Sequence, residues 1–66
     1  MHIFVNGSPK ELDDDTPMSV LVERLGLAGQ RIAVEVNAEL VPRSRFDAHA
    51  LQEGDRVEII HAVGGG

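Results

Sequence analysis

The sequence contains no cysteine, no tryptophan and no tyrosine, and only two phenylalanines. Without cysteine, the chain has no disulfide framework and no thiolate metal site. Its three histidines, His2, His49 and His61, lack the spacing of metal ligands, so we predict no metal site. No apolar run is long enough for a signal peptide or a membrane span. We therefore expect a cytoplasmic protein without a membrane partner.

Basic side chains are also scarce, because six lysines and arginines face eleven aspartates and glutamates, for a net charge of −5. This balance argues against nucleic acid as a partner. The acidic triplet at residues 13–15 lacks the glycine and the distant glutamate of a calcium loop, so we expect a solvated loop there. No Ser, His and Asp set has informative spacing. The sequence predicts a protein that is not an enzyme.

One amphipathic helix stands out in the first half of the chain. Apolar residues recur at i, i+3, i+4 and i+7, the spacing of a buried helical stripe: Met18, Leu21, Val22 and Leu25. Thr16 is the expected N-cap through its hydroxyl, Pro17 suits the first helical position, and Gly26 is the expected C-terminal stop. We predict a helix over residues 17–26.

Segments rich in β-forming residues predict five strands, at residues 2–6, about 10–12, 32–36, 40–41 and 56–63. Turn residues separate them at 6–9, 37–39 and 52–55, and Ser44 is expected to cap a short helical or 3₁₀ turn. We predict an α+β fold: a mixed sheet with the first and last strands as parallel central neighbours and one helix packed on one face. Residues 1–63 would form a single domain.

Three glycines, Gly64, Gly65 and Gly66, follow the last predicted strand. One interpretation is a frayed end without a role. The other is a flexible arm that delivers a carboxylate into a narrow active site, because glycine has no Cβ and accepts φ of either sign. A carboxylate of Gly66 is a usable nucleophile toward the α-phosphorus of ATP, and an acyl adenylate would result.

Alternation along the first and last strands predicts a partner surface. Four residues are expected to point toward the helix: Ile3, Val5, Val57 and Ile59. Phe4 and Ile60 then project from the opposite face, where they are either scattered apolar side chains or part of a docking surface. We predict that Phe4, Ile60 and Val63 belong to a surface that docks a partner protein.

The chain resembles a ubiquitin-like β-grasp protein, and specifically the ThiS family of bacterial sulfur carriers in thiamine biosynthesis. The resemblance rests on Met-His-Ile-Phe-Val-Asn at the start, the Thr16-Pro17 pair, and residues 36–43, 51–55 and 55–66. Together these stretches cover nearly the whole chain. The terminal pair of that family matches Gly65 and Gly66.

The resemblance implies a ubiquitin-like β-grasp fold and a carrier function. A ThiF-like enzyme would use ATP and Mg to adenylate the Gly66 carboxylate, and a sulfur donor system would convert it to a thiocarboxylate. The sulfur would then pass to a ThiG-like thiazole synthase, while Gly64 and Gly65 thread the arm into the active sites. The chain itself would bind no cofactor.

Three alternatives remain at the level of sequence. A molybdopterin synthase small subunit shares the β-grasp body and a terminal Gly-Gly, but tends to be longer and more aromatic before the glycines. A ubiquitin-type modifier is disfavoured because Lys10 is the only lysine. A plain interaction module that binds reversibly through its sheet would leave the glycine arm idle.

Overall fold

The computed structural model describes residues 1–62. Within this part, the strands are β1 (His2–Val5), β2 (Ser8–Glu11), β3 (Ile32–Val36), β4 (Glu39–Val41) and β5 (Arg56–His61). A helix, α1 (Met18–Arg24), follows β2, and a 3₁₀ turn (Arg43–Arg45) follows β4. Residues 63–66, which include the predicted glycine arm, lie outside the described residues.

The strands form one mixed sheet in the order β2-β1-β5-β3-β4. β1 pairs with β5 in parallel, with Val5 opposite Val57, whereas the other three pairings are antiparallel. The two ends of the described chain therefore meet in the middle of the sheet. This confirms the predicted mixed sheet with parallel central neighbours.

One face of the sheet packs on α1 and carries the hydrophobic core. The core is built from aliphatic residues and one phenylalanine: Ile3, Val5, Met18, Leu21, Val22, Val34, Val36, Val41, Phe46, Leu51, Val57 and Ile59. The predicted helical stripe is buried except at Leu25, which is half-buried against the core. Each buried valine, leucine or isoleucine contributes roughly 1.5–3 kcal/mol, so burial of this aliphatic face is a large favourable term in folding.

The predicted N-cap is wrong. The Thr16 hydroxyl donates to the Asp13 carbonyl at 2.6 Å, and Pro17 takes the N-cap position with extended backbone. Two free amides at the start of α1 donate to distant backbone carbonyls instead. The Met18 amide donates to the His49 carbonyl at 2.8 Å, and the Ser19 amide donates to the Phe46 carbonyl at 3.1 Å. A distant segment folded over the helix start supplies the acceptors, so no capping side chain is needed.

The predicted helix stop at Gly26 is confirmed, although α1 ends at Arg24, two residues before the predicted boundary. Gly26 has φ +74, the left-handed conformation that glycine adopts at no steric cost. Its amide donates to Glu23, and the Leu27 amide donates to Val22, both at 3.0 Å. These two bonds form a Schellman motif that satisfies the last helical carbonyls.

The two hairpin turns are tighter than predicted. Asn6-Gly7 and Asn37-Ala38 each have two consecutive positive φ angles, as a two-residue turn between twisted strands requires. β2 therefore begins at Ser8 instead of residue 10, and β4 begins at Glu39. Pro9 is accommodated in β2 because this is an edge strand. Ser44 lies inside the 3₁₀ turn and does not cap it, because Pro42 takes that position.

The asparagine of each turn hydrogen-bonds to β5. The Asn6 side chain accepts from the Ile59 amide at 2.8 Å and donates to the Ile59 carbonyl at 3.2 Å. The Asn37 side chain accepts from the Arg56 amide at 3.0 Å and donates to the buried Asp55 carboxylate, also at 3.0 Å. Both side chains thus extend the backbone pairing of the central strand beyond the ends of β1 and β3.

Asn37→Ala should lower the free energy of unfolding by about 2–5 kcal/mol. Two hydrogen bonds contribute about 0.5–1.5 kcal/mol each, and a left-handed alanine costs roughly 1–2 kcal/mol more. Asn37→Gly loses the same bonds without the backbone strain, so it should be about 1 kcal/mol less destabilising. Urea unfolding of the three proteins measures both effects, and equal stability of Asn37→Ala and the unsubstituted chain would contradict the account.

Candidate functional site

The end of β5 is where the chain leaves the sheet. His61 pairs with Ile32 of β3, and the Ala62 amide donates to the Arg31 carbonyl at 3.0 Å. The chain is thus hydrogen-bonded to the body up to Ala62. The residue predicted to carry the adenylate and thiocarboxylate, Gly66, lies beyond this point and outside the described residues.

The same holds for the predicted threading residues Gly64 and Gly65 and for Val63, the third predicted docking residue. These assignments stay predictions. The part of the chain that the structure describes therefore contributes two things to the site: the position at which residues 63–66 begin, and the surface around that position.

Phe4 and Ile60 are exposed on the face of the sheet opposite α1, as alternation predicts. Phe4 is 41% exposed and Ile60 is 57% exposed, whereas their neighbours Ile3 and Ile59 are 0% and 7% exposed. The predicted exposure is confirmed. The role of the two side chains in docking a partner stays a prediction.

The two apolar side chains do not touch one another. Phe4 lies opposite Arg56 in the parallel pairing, and Ile60 lies four residues further along β5. At about 3.3 Å per residue, this separates their levels on the sheet by roughly 13 Å. Glu58 lies between them on the same face. The surface is therefore a mixed one, with apolar positions separated by charged ones.

A third exposed apolar residue, Leu40, was not predicted. It is 66% exposed on β4, where the next residue, Val41, is buried. Leu40 pairs with Glu35, which pairs in turn with Glu58 of β5, so all three lie on the face opposite α1. The alternation that reveals Phe4 and Ile60 also applies to β4, but this strand has only three residues and its pattern is short.

We call this surface the outer face and define it by six residues: Phe4, Glu35, Leu40, Arg56, Glu58 and Ile60. Its centre is acidic, because Glu35 and Glu58 are direct partners in the antiparallel pairing of β3 with β5. Like charges directly opposite each other destabilise a sheet. A partner that placed a cation between the two carboxylates would relieve that repulsion.

Residues 1–62 contain no group of three or more histidine, aspartate or glutamate side chains that could hold a metal ion. His2 lies 3.4 Å from Glu11 and 3.7 Å from Glu53, and this exposed pairing links the first hairpin to the turn before β5. No helix in the described range has the length and apolar character needed to cross a membrane.

Comparison with known proteins agrees with this geometry. The model of the ThiS family matches residues 3–66. The chain is 39% identical to the thiazole synthase of Magnetococcus marinus and 26% identical to the sulfur carrier protein ThiS of Escherichia coli strain K12. Both matches cover all of this chain. The chain spans only 20% of the thiazole synthase but 100% of the ThiS protein.

A solved structure shares the fold over its full length. The crystal structure of the thiamine biosynthesis protein ThiS from Geobacter metallireducens superimposes with a TM-score of 0.85 at 35% identity, covering all of both chains. The five-stranded sheet with α1 on one face is thus the ubiquitin-like β-grasp fold. This chain belongs to the ThiS family.

Proposed function

We propose that the Gly66 carboxylate of this chain is adenylated by a ThiF-like enzyme and converted to a thiocarboxylate that donates sulfur for thiazole formation. The observation that carries the proposal is the path of β5. This strand lies at the centre of the sheet, the chain is hydrogen-bonded through Ala62, and Val63 and three glycines follow. The family match that extends to residue 66 supports the assignment.

The chemistry needs only the acyl group from this chain. One carboxylate oxygen of Gly66 attacks the α-phosphorus of ATP, and pyrophosphate leaves. A sulfide-level nucleophile from the sulfur donor system then attacks the acyl carbon, and AMP leaves with the original carboxylate oxygen. The product is a thiocarboxylate in which one sulfur replaces one oxygen. ATP and Mg belong to the activating enzyme, and this chain acts as a protein substrate.

Glycine suits the residues that approach the reacting atom. A glycine has no side chain to collide with the walls of a channel, and it accepts backbone angles closed to other residues. Gly64 and Gly65 therefore let the carboxyl group of Gly66 enter an active site built for ATP. The absence of cysteine means that no side-chain thiol of this chain competes for the transferred sulfur.

The outer face is the proposed docking surface for the enzymes. Its exposed side chains, Phe4, Leu40 and Ile60, suit apolar contacts, and the Glu35 and Glu58 pair suits an arginine or lysine of the partner. The chain resembles about one-fifth of each of two thiazole synthases, which supports a ThiG-like enzyme as the second partner.

Incubation of the 66-residue chain with Mg-ATP, a ThiF-like enzyme and a sulfur donor should replace one oxygen by sulfur, because the adenylate is an activated acyl donor. Intact-mass spectrometry detects the change. Deletion of Gly66 is expected to abolish it, because the new terminal carboxylate on Gly65 ends about 3.5 Å short of the reacting position. Addition of one alanine after Gly66 should also abolish it, since a side chain then stands at the reacting end.

The matched control is the charge-neutral substitution Gln52→Ala. Gln52 is exposed beside the turn that precedes β5, so this variant should be modified like the unsubstituted chain. An unchanged mass in an assay that modifies the Escherichia coli ThiS protein would contradict the carrier function. It would favour a protein that binds reversibly through its sheet. Equal modification of the alanine-extended chain would show that the narrow-channel argument is wrong.

Phe4→Ser and Ile60→Ser should each raise the KM for adenylation by about tenfold with kcat nearly unchanged. Loss of an apolar anchor at an interface costs about 1–2 kcal/mol, and 1.4 kcal/mol corresponds to tenfold. Leu40→Ser tests whether the interface reaches β4. Steady-state kinetics together with thermal unfolding separates lost docking from lost folding, and unchanged KM values in folded variants would remove the outer face from the interface.

Glu58→Gln should weaken binding to the activating enzyme and make that binding less sensitive to salt. The substitution removes one of the two facing carboxylates, and with it an attraction that ions screen. It should also stabilise the isolated chain by about 0.2–1 kcal/mol, because it removes the repulsion from Glu35. Titrations at low and high salt measure the first effect, and equal salt slopes for both proteins would contradict it.

A further inference from the structure

The loop between α1 and β3, residues 25–31, holds the end of β5. Within the described chain, it contacts the last residue of β5, His61, and the residue that follows it, Ala62. The Ala62 amide donates to the Arg31 carbonyl at 3.0 Å, and the His61 Nε2 atom lies 3.1 Å from the Gln30 Oε1 atom. The first contact belongs to the backbone and is independent of the residue type, whereas the second is specific to a histidine and a glutamine.

Gln30 is itself held from three directions. Its side-chain amide donates to the Gly26 carbonyl at 3.2 Å, and its backbone amide donates to the Leu27 carbonyl at 3.1 Å. Its own carbonyl accepts a hydrogen bond from the Arg43 guanidinium. Gln30 therefore links the end of α1 and the 3₁₀ turn to the last residues of β5.

These contacts determine the direction of the bond to His61. Because the Gln30 nitrogen donates to Gly26, its oxygen is the atom that faces the imidazole. An amide oxygen only accepts, so His61 donates from Nε2. The pair is thus a directed hydrogen bond from the β5 end to the loop.

We propose that Gln30 is a positioning residue, which acts through His61 to fix the point and direction from which residues 63–66 continue. This inference rests on the proposed function of Gly66. Four residues beyond Ala62 extend at most about 13 Å, so the position of Ala62 limits the points that the Gly66 carboxyl group can reach. A misplacement of about 1 Å can cost a reaction roughly 100-fold in rate.

The positioning effect is separable from docking and from folding. His61 follows Ile60 in β5, so alternation places these two side chains on opposite faces of the sheet, and the His61 contact with Gln30 is exposed to solvent. An exposed hydrogen bond adds only about 1 kcal/mol to stability. Loss of the bond should therefore change the rate of the chemical step and the local order of Ala62 more than the affinity or the global stability.

The test is Gln30→Ala, with Gln52→Ala as the matched control at the only other glutamine in the chain. In Gln30→Ala, the Ala62 amide should exchange its hydrogen about fivefold faster, as loss of one hydrogen bond permits. The kcat for adenylation should fall by about threefold to tenfold with KM within about twofold. Gln52→Ala should match the unsubstituted chain in both measurements.

Two further variants assign the effect to the His61 contact. His61→Phe keeps an aromatic ring without a donor and should reproduce Gln30→Ala, and the double variant should be no slower than either single one. Full additivity of the two single changes would overturn the role of this contact.

The proposal fails if folded Gln30→Ala shows unchanged Ala62 exchange, or changed exchange with an unchanged kcat. Should Gln30→Ala not fold, the same measurements on His61→Phe decide it. Failure of the proposed function looks different, because the unsubstituted chain itself would then not be adenylated. The Ala62 exchange measurement on the free chain still decides whether Gln30 holds the end of β5.

Discussion

The fold depends on the two-sided hydrogen bonding of β5 at the centre of the sheet. β1 pairs with one edge of this strand and β3 with the other, and Asn6 and Asn37 continue the pairing where the neighbouring strands end. Residues of β5 alternate between the core and the outer face. Val57 and Ile59 fill the core, Glu58 and Ile60 lie on the outer face, and the Ala62 amide just after the strand donates to the Arg31 carbonyl. A single strand thus connects the core, the proposed docking surface and the proposed reacting end.

Much of this fold could be predicted from the sequence, because the elements depend on local patterns. The spacing of Met18 to Leu25 predicts α1, and alternation predicts the inward residues of β1 and β5. The error at the helix start occurs because distant backbone supplies the hydrogen bonds. Thr16 has the right chemistry for an N-cap, but the His49 carbonyl accepts the hydrogen bond from the Met18 amide at the helix start. No local pattern contains that information.

The candidate site was predictable to a similar degree. Exposure of Phe4 and Ile60 follows from a period of two and needs only the knowledge that one face is covered. Leu40 obeys the same rule in a strand too short to show a clear pattern. The contact between Gln30 and His61 joins residues 31 positions apart, and only the folded loop brings them together. Its partners are common polar residues with no spacing that identifies them.

The central claim is that the body presents the carboxyl group of Gly66 to an enzyme that activates it. The most direct measurement is a structure of this chain bound to a ThiF-like enzyme with Mg and a non-hydrolysable ATP analogue. The account predicts that a Gly66 oxygen lies within about 3.5 Å of the α-phosphorus, with the outer face against the enzyme. A complex in which another surface docks and Gly66 lies remote from the nucleotide would contradict it.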